Sequence, residues 1–311
     1  MQAFLRFLRI NFSHLPSGGT VRNVQAIDYA DYHLYNCKDD LVPKLFNAFN
    51  NKTIWVTGAS SGIGEHLCYA LDKAGARLIM SARRESELER VRLACNHSDK
   101  HLICIMDMQD VDSIKPTVND VLSKVGDIHI LINNAGITQR GRVEDLDFSV
   151  YRRVLEVNYF AKVALTQALL PHMQQRQSGQ IVAISSIAGL VGVAYRSAYS
   201  SSKAAIIGFM DALRAEVSDQ GISVTTICPG FVQTNIVDTA KREGTAKADA
   251  DDSMITGGMS ADDAVEKILL AIAKKQAQVN VATGAERFAP YIQRYFPRLM
   301  YRIMFKVRIK P

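Results

Sequence analysis

From Thr53 onward the chain alternates between two kinds of segment. Short apolar runs, "TIWVTG" (53–58), "RLIMSA" (77–82), "HLICIMD" (101–107), "IHILINN" (128–134), "QIVAISS" (180–186) and "ISVTTICPG" (222–230), hold their hydrophobic residues together instead of alternating them with polar ones. That pattern predicts strands buried on both faces. Between them, residues of roughly 63–75, 85–95, 110–125, 149–176 and 197–219 carry helical spacing over helix-length extents, and a further helix near 261–275 precedes a short strand around "QVNVAT" (278–283). Repeated strand-helix alternation predicts an α/β fold: a doubly wound parallel sheet of about seven strands with helices on both faces.

The periodicity fails in two places. Residues 231–259 are polar, charged and glycine-bearing, which predicts a long loop or lid over the domain. Residues 1–50 form an N-terminal extension, leaving 51–285 as a single domain and 286–311 as a tail.

Charge changes the picture only at the ends. The chain of 311 residues has a net charge of +6. Residues 291–311 alone contribute +6 and residues 1–27 contribute +3, so the remainder stands at −3 and is not a basic nucleic-acid binder. In the tail, Arg294, Arg298, Arg302 and Lys306 repeat every four residues beside an apolar stripe of Ile292, Tyr295, Phe296, Leu299, Ile303 and Val307. A basic amphipathic helix of this kind, broken or begun near Pro297, suits an anionic membrane surface; packing onto the domain or a second subunit is the alternative. The segment "MQAFLRFLRINFSHL" is too short and too charged to span a bilayer and reads as a membrane-association segment or a mitochondrial presequence. Five widely spaced cysteines, with no Cys-x-x-Cys and no paired histidines, predict reduced thiols and no metal site.

Two motifs carry chemistry. In "TGASSGIG" (57–64), Gly58 permits a tight turn, Gly62 lets backbone approach a pyrophosphate and Gly64 allows close helix-strand packing; Ser60, Ser61 and Ile63 complete the turn. The helix that follows would present free N–H groups to the anion. In "AYRSAYSSSKAA" (194–205), Tyr199 and Lys203 stand four apart, on one face of a predicted helix. An isolated tyrosine, with a pKa of about 10, is a poor base near neutrality, and an adjacent ammonium stabilises its phenolate. Tyr195 precedes the helix and reads as a pocket or surface aromatic, and Ser200, Ser201 and Ser202 as small bystanders.

These motifs, with "NNAG" (133–136), "VNY" (157–159) and "PG" (229–230) in the same order, resemble the short-chain dehydrogenase/reductase family over about residues 50–285. The resemblance implies a Rossmann-type fold. It also implies that Tyr199, Lys203, Ser186 and Asn158 form the catalytic set, Ser186 orienting the substrate and Asn158 holding a water that links Lys203 to solvent. Asn133, Asn134, Ala135 and Gly136 would support the sheet and the adenosine side of a dinucleotide, with Asp107 near the adenine. Pro229, Gly230, Val232 and Thr234 would contact the nicotinamide end. At the end of the second strand Ser81, Arg83 and Arg84 stand where an acid would favour a free ribose hydroxyl, so NADP(H) is the expected cofactor.

"SARRESELERV", "PHMQQRQSGQIV" and "CPGFVQTNIV" are most similar to the family's microsomal member-7 branch. That likeness implies a lipophilic carbonyl or alcohol substrate (steroid, retinoid, quinone or similar), an endoplasmic reticulum membrane location and a homodimer or homotetramer. A 3-oxoacyl thioester reductase, a non-catalytic NADP-binding regulator and a mitochondrial location stand as alternatives.

Overall fold

The computed structural model describes residues 48–234, 236, 244–245 and 257–306. The expectations for residues 1–47, for most of the 231–259 segment and for 307–311 lie outside the described residues.

The chain from Thr53 builds β1 (Thr53–Thr57), α1 (Gly62–Lys73), β2 (Arg77–Ala82), α2 (Glu85–Leu93), β3 (Leu102–Ile105), α3 (Ile114–Val125) and β4 (Ile130–Asn133). It continues through α4 (Phe148–Leu155), a π-helical turn (Glu156–Phe160), α5 (Ala161–Gln175), β5 (Gly179–Ile184), the short α6 (Ile187–Leu190), α7 (Ser197–Glu216) and β6 (Ile222–Pro229). Then follow α8 (Ala261–Ala273), β7 (Gln278–Val281), α9 (Ala289–Tyr295) and α10 (Pro297–Lys306). The described strands form one parallel sheet in the order β3-β2-β1-β4-β5-β6-β7. The predicted doubly wound sheet is therefore the fold, and its strand order reverses between β1 and β4.

Continuous apolar strands make two cores, one on each face. Ile54 and Val56 of β1, Leu78 and Met80 of β2 and Ile130 and Ile132 of β4 face α1, α2 and α8. The intervening Trp55, Ile79 and Leu131 face α3, α5 and α7. Side chains alternate across a strand, so a run without polar interruption feeds both layers. The Trp55 indole is satisfied in its core by donating to the Ser81 hydroxyl at 2.7 Å. Phe49 is also buried in the first core, so the folded domain begins slightly before residue 51.

The helix predicted over 149–176 is interrupted by the π-helical turn, which accommodates one extra residue and turns Asn158 inward. Asp72 locks α1 to the segment before β3. It accepts from the Asn96 and His97 backbone amides (2.7 and 3.1 Å) and from the His97 and His101 rings, each at 3.0 Å. Because His101 Nδ1 receives the Leu78 amide at 3.2 Å, its Nε2 carries the proton donated to Asp72. Cys68, Cys95, Cys104 and Cys228 are buried free thiols; burial pushes Cys95 up to about 12.

Candidate active site

Ligands of doubly wound sheets bind outside the carboxyl ends of the strands at the point of reversal. There the structure has a cavity of about 740 Å³. Its floor is the glycine turn. Gly58 has φ +66°, and a Cβ there would stand 2.8 Å from Ala135 Cα; a Cβ on Gly64 would stand 2.1 Å from the Gly58 carbonyl oxygen. Asn134 fastens this contact, its amide donating to the carbonyls of Thr57 (2.9 Å) and Gly58 (3.2 Å). Thr57 Oγ1 meanwhile accepts from the Ala135 amide at 3.0 Å. Ser61 caps α1 without a side-chain bond, which leaves the first-turn amides of α1 to an anion. Arg90 holds the turn from behind, donating to Glu65 (2.7 and 3.0 Å) and to the Ser60 carbonyl (3.3 Å). Its guanidinium keeps the Glu65 carboxyl below its ordinary value. Backbone exposed in this way, with side chains excluded by packing, fits a dinucleotide pyrophosphate.

Of the residues expected around a cofactor, Gly58, Ser60, Ser61, Gly62, Ile63, Arg83, Arg84, Asp107, Asn134, Ala135, Gly136, Pro229, Gly230, Val232 and Thr234 line this cavity. Gly64 does not; it acts in packing, as its contacts show. Arg83 and Arg84 are exposed at the end of β2. Ser81 is buried, and its hydroxyl already receives the Trp55 indole. Asn133 lies within the sheet, donating to Thr166 at 3.1 Å.

Ser186, Tyr199 and Lys203 line the same cavity. Tyr199 and Lys203 share a face of α7, with Lys203 Nζ 5.5 Å from the Tyr199 ring centroid and donating to the Ile184 carbonyl at 3.0 Å. Ser186 caps α6, accepting from the Ala188 amide at 3.1 Å, and donates to the Pro229 carbonyl at 3.3 Å. Ser185 turns the other way, donating to the Lys203 carbonyl at 2.8 Å. Asn158 is fully buried behind the cavity wall. It accepts from the Ile137 amide (2.8 Å) and donates to the Ile137 carbonyl and the Ser202 hydroxyl (both 2.9 Å).

The structure narrows one sequence reading and corrects another. Tyr195 does not line the cavity, which leaves the surface alternative of its two readings. Its backbone is left-handed (φ +61°), its carbonyl accepts from Gly141 and Gln139, and its ring lies under Arg142 at 5.9 Å. Ser202 is not a bystander, because its buried hydroxyl joins Asn158 to the Tyr199 carbonyl, to which it donates at 2.8 Å.

The tail also contributes unexpectedly. Met300 is buried and Met300, Ile303 and Met304 line the cavity, whereas Tyr295, Phe296 and Leu299 of the anticipated stripe are exposed. The break falls at Phe296, which ends α9 before Pro297 opens α10. Glu286 enters the cavity wall, its carboxylate accepting from the Phe231 amide (3.1 and 3.3 Å) and the Thr283 amide (3.4 Å). A Cβ on Gly230 would stand 2.3 Å from that carboxylate, so a side chain there would displace Glu286 from its present contacts. Sequence reasoning also missed Lys162, whose only signal was a lysine inside the apolar run "AKVALTQALL". It is fully buried, and its Nζ donates to the carbonyl that Lys203 uses, at 3.2 Å.

A family model described as short chain dehydrogenase matches residues 52–244. The chain belongs to the short-chain dehydrogenase family. The rat protein "Dehydrogenase/reductase SDR family member 7B" is 40% identical over 261 residues, covering 82% of this chain and 80% of that one. Human "Dehydrogenase/reductase SDR family member 7" is 38% identical, covering 78% of this chain and 74% of that one. Among solved structures, a short-chain dehydrogenase from Streptomyces avermitilis superposes with a TM-score of 0.70 at 29% identity, covering 83% of this chain and 97% of that one. The same fold occurs in a Burkholderia phymatum member in complex with NAD (TM-score 0.71, 21% identity, covering 85% and 98%) and in ElxO with NADP bound (0.65, 23%, 74% and 97%). The protein is thus a short-chain dehydrogenase/reductase-type oxidoreductase that works with a nicotinamide dinucleotide.

Lys162 gives a pH-dependent prediction. Burial, and secondarily the nearby Lys203, hold its amine pKa well below the ordinary lysine value. The unfolded chain therefore binds the extra proton, and stability attributable to this group falls as pH drops from its unfolded pKa, about 10.4, toward the folded one. Lys162→Met should raise Tm by a few degrees at pH 7, with the gain shrinking toward pH 10 in a thermal-melt series; an equal gain at both pH values would contradict this.

Proposed function

We propose that the protein is an NADP(H)-dependent carbonyl reductase, or secondary-alcohol dehydrogenase in reverse, acting on a lipophilic substrate. The observation that carries the reading is that Tyr199, Lys203 and Ser186 face one cavity with the glycine turn. The nicotinamide, when bound, supplies or accepts the hydride. The Tyr199 hydroxyl gives its proton to the substrate oxygen as the hydride reaches the carbonyl carbon, and Ser186 donates a hydrogen bond to that oxygen while negative charge develops there. Lys203, held by the Ile184 carbonyl, favours the phenolate left behind. Asn158 and Ser202 fix the strand-end loop at Ile137 against α7, and a water beside Asn158 would return the proton to Lys203.

Arg83 and Arg84 support NADP(H), since guanidinium groups at the cavity rim complement a ribose phosphate. The apolar cavity residues Val191, Val193, Met300 and Ile303 support a lipophilic substrate. A membrane surface, the endoplasmic reticulum being the expected one, is supported by α10. Tyr301 and Phe305 are exposed by 55% and 86%, and Arg298 and Arg302 lie on the same helix. No helix among the described residues is long and apolar enough to cross a membrane. Exposed Phe148 and Phe160 around α4 support a homodimer or homotetramer.

Purified protein should oxidise NADPH faster than NADH with ketones from a lipophilic panel, followed by absorbance. Tyr199→Phe should lower that turnover by about 10²–10⁴ while nucleotide affinity holds. Full activity in Tyr199→Phe would remove the mechanism, and a preference for NADH would remove the NADP assignment.

Vesicles containing about 30% phosphatidylserine should co-sediment the wild type and release a Leu299→Glu/Phe305→Glu variant. Equal sedimentation of both proteins would contradict a role for α10.

A further inference from the structure

Among the described residues, the cavity wall beyond Ser186, Tyr199 and Lys203 is largely apolar and carries two further charged side chains, one of them committed. Val191, Val193, Phe231, Met300, Ile303 and Met304 make a hydrocarbon wall. Glu286 is consumed by the Phe231 and Thr283 amides.

Arg196 is different. It precedes Tyr199 by three residues, lines the cavity, and holds its guanidinium carbon 5.8 Å from the Tyr199 ring centroid. Among the described residues no carboxylate and no hydrogen-bond acceptor meets this guanidinium. The side chain is half-buried, and burial pulls its pKa below the ordinary arginine value.

Its place on the helix makes the residue harder to explain as scaffold. Arg196 occupies the N-cap position of α7, a 20-residue helix, and makes no side-chain capping bond. A cation at that end opposes the helix dipole, which favours an anion there. The nearby backbone is already served, since the Ala198 amide donates to Gln139 at 3.1 Å and the Arg196 carbonyl accepts from Ser200 at 2.7 Å. Among the described residues the guanidinium thus serves neither the cap nor an ion pair, and its fork matches a planar carboxylate.

We infer that Arg196 is a specificity-determining residue that receives a carboxylate borne close to the reacting carbonyl, so that the substrate is an oxo acid with an apolar body. The inference rests on the reductase reading of the site. The apolar wall would take the body, Tyr199 and Ser186 the carbonyl oxygen, and Arg196 the acid.

Matched pairs test this with the full chain and NADPH: 2-oxo-2-phenylacetate, 3-acetylbenzoate and 4-acetylbenzoate, each against its methyl ester. In at least one pair, kcat/KM for the acid should exceed that for the ester by about tenfold or more, the scale of a charge-assisted hydrogen bond. Arg196→Met should bring that ratio to about one. Arg196→Lys, which keeps the charge without the fork, should leave an intermediate ratio. In parallel, benzoate should raise the Tm of the NADP⁺-loaded wild type and not of the NADP⁺-loaded Arg196→Met protein. Ratios near one in all three wild-type pairs, or an acid preference that survives in Arg196→Met, would overturn the inference. Turnover of esters alone would overturn it and leave the reductase reading standing. Benzoate stabilisation that depends on Arg196, with no ketone reduced, would uphold the anion site and remove the reductase reading.

Discussion

Everything at the site depends on how closely the carboxyl ends of β1 and β4 approach each other. The sheet reverses its winding between these two strands, so their helices leave on opposite faces and a crevice opens above them. The crevice is useful only if backbone reaches its surface. Glycine at Gly58 and Gly64 permits that, because any Cβ would strike Ala135 or the Gly58 carbonyl. Asn134 supplies the tether, spending its side-chain donors on the two carbonyls that end β1. The same residues therefore close the packing of the sheet and open the amides of α1.

The reacting groups hang from a second junction, between the end of β5 and α7. The Ile184 carbonyl, last in β5, receives both Lys203 and Lys162. A carbonyl has two lone pairs, so it can hold both amines, and burial drives Lys162 toward its neutral form. From the other side Asn158, brought inward by the π-helical turn, binds Ile137 and Ser202. The helix bearing Tyr199 is thus held at both its strand-facing and loop-facing sides, while Glu286 fixes the Gly230–Phe231 segment opposite it. Positioning on this scale depends on these buried hydrogen bonds, since a loose partner would cost the site its geometry.

What could be read from the chain was local. The uninterrupted runs at 77–82 and 180–186 place strands because burial on both faces leaves no room for polar alternation. The glycine turn and the Tyr199–Lys203 spacing are readable because each function needs a short fixed offset along one element. Arg196, Glu286 and Lys162 were not readable as site residues, because an arginine, glutamate or lysine is ordinarily solvated and only tertiary packing turns these three inward. The sequence alone leaves Tyr195 between pocket and surface, because spacing does not reveal its left-handed backbone (φ +61°) or its ring's place beside Arg142. The tail was half legible: its spacing announced an amphipathic helix, and Ile303 of the anticipated stripe does face inward, but it does so beside Met300 and Met304, which the stripe did not include, while Tyr295, Phe296 and Leu299 are exposed.

If the β1–β4 contact builds the dinucleotide cradle, removing its tether must weaken the nucleotide. Calorimetric titration of NADP⁺ into wild type and Asn134→Ala measures this, with circular dichroism to establish that both are folded. Nucleotide binding should weaken about tenfold or more in the folded variant, through the loss of two hydrogen bonds that set the turn. Unchanged affinity in a folded Asn134→Ala protein would contradict it.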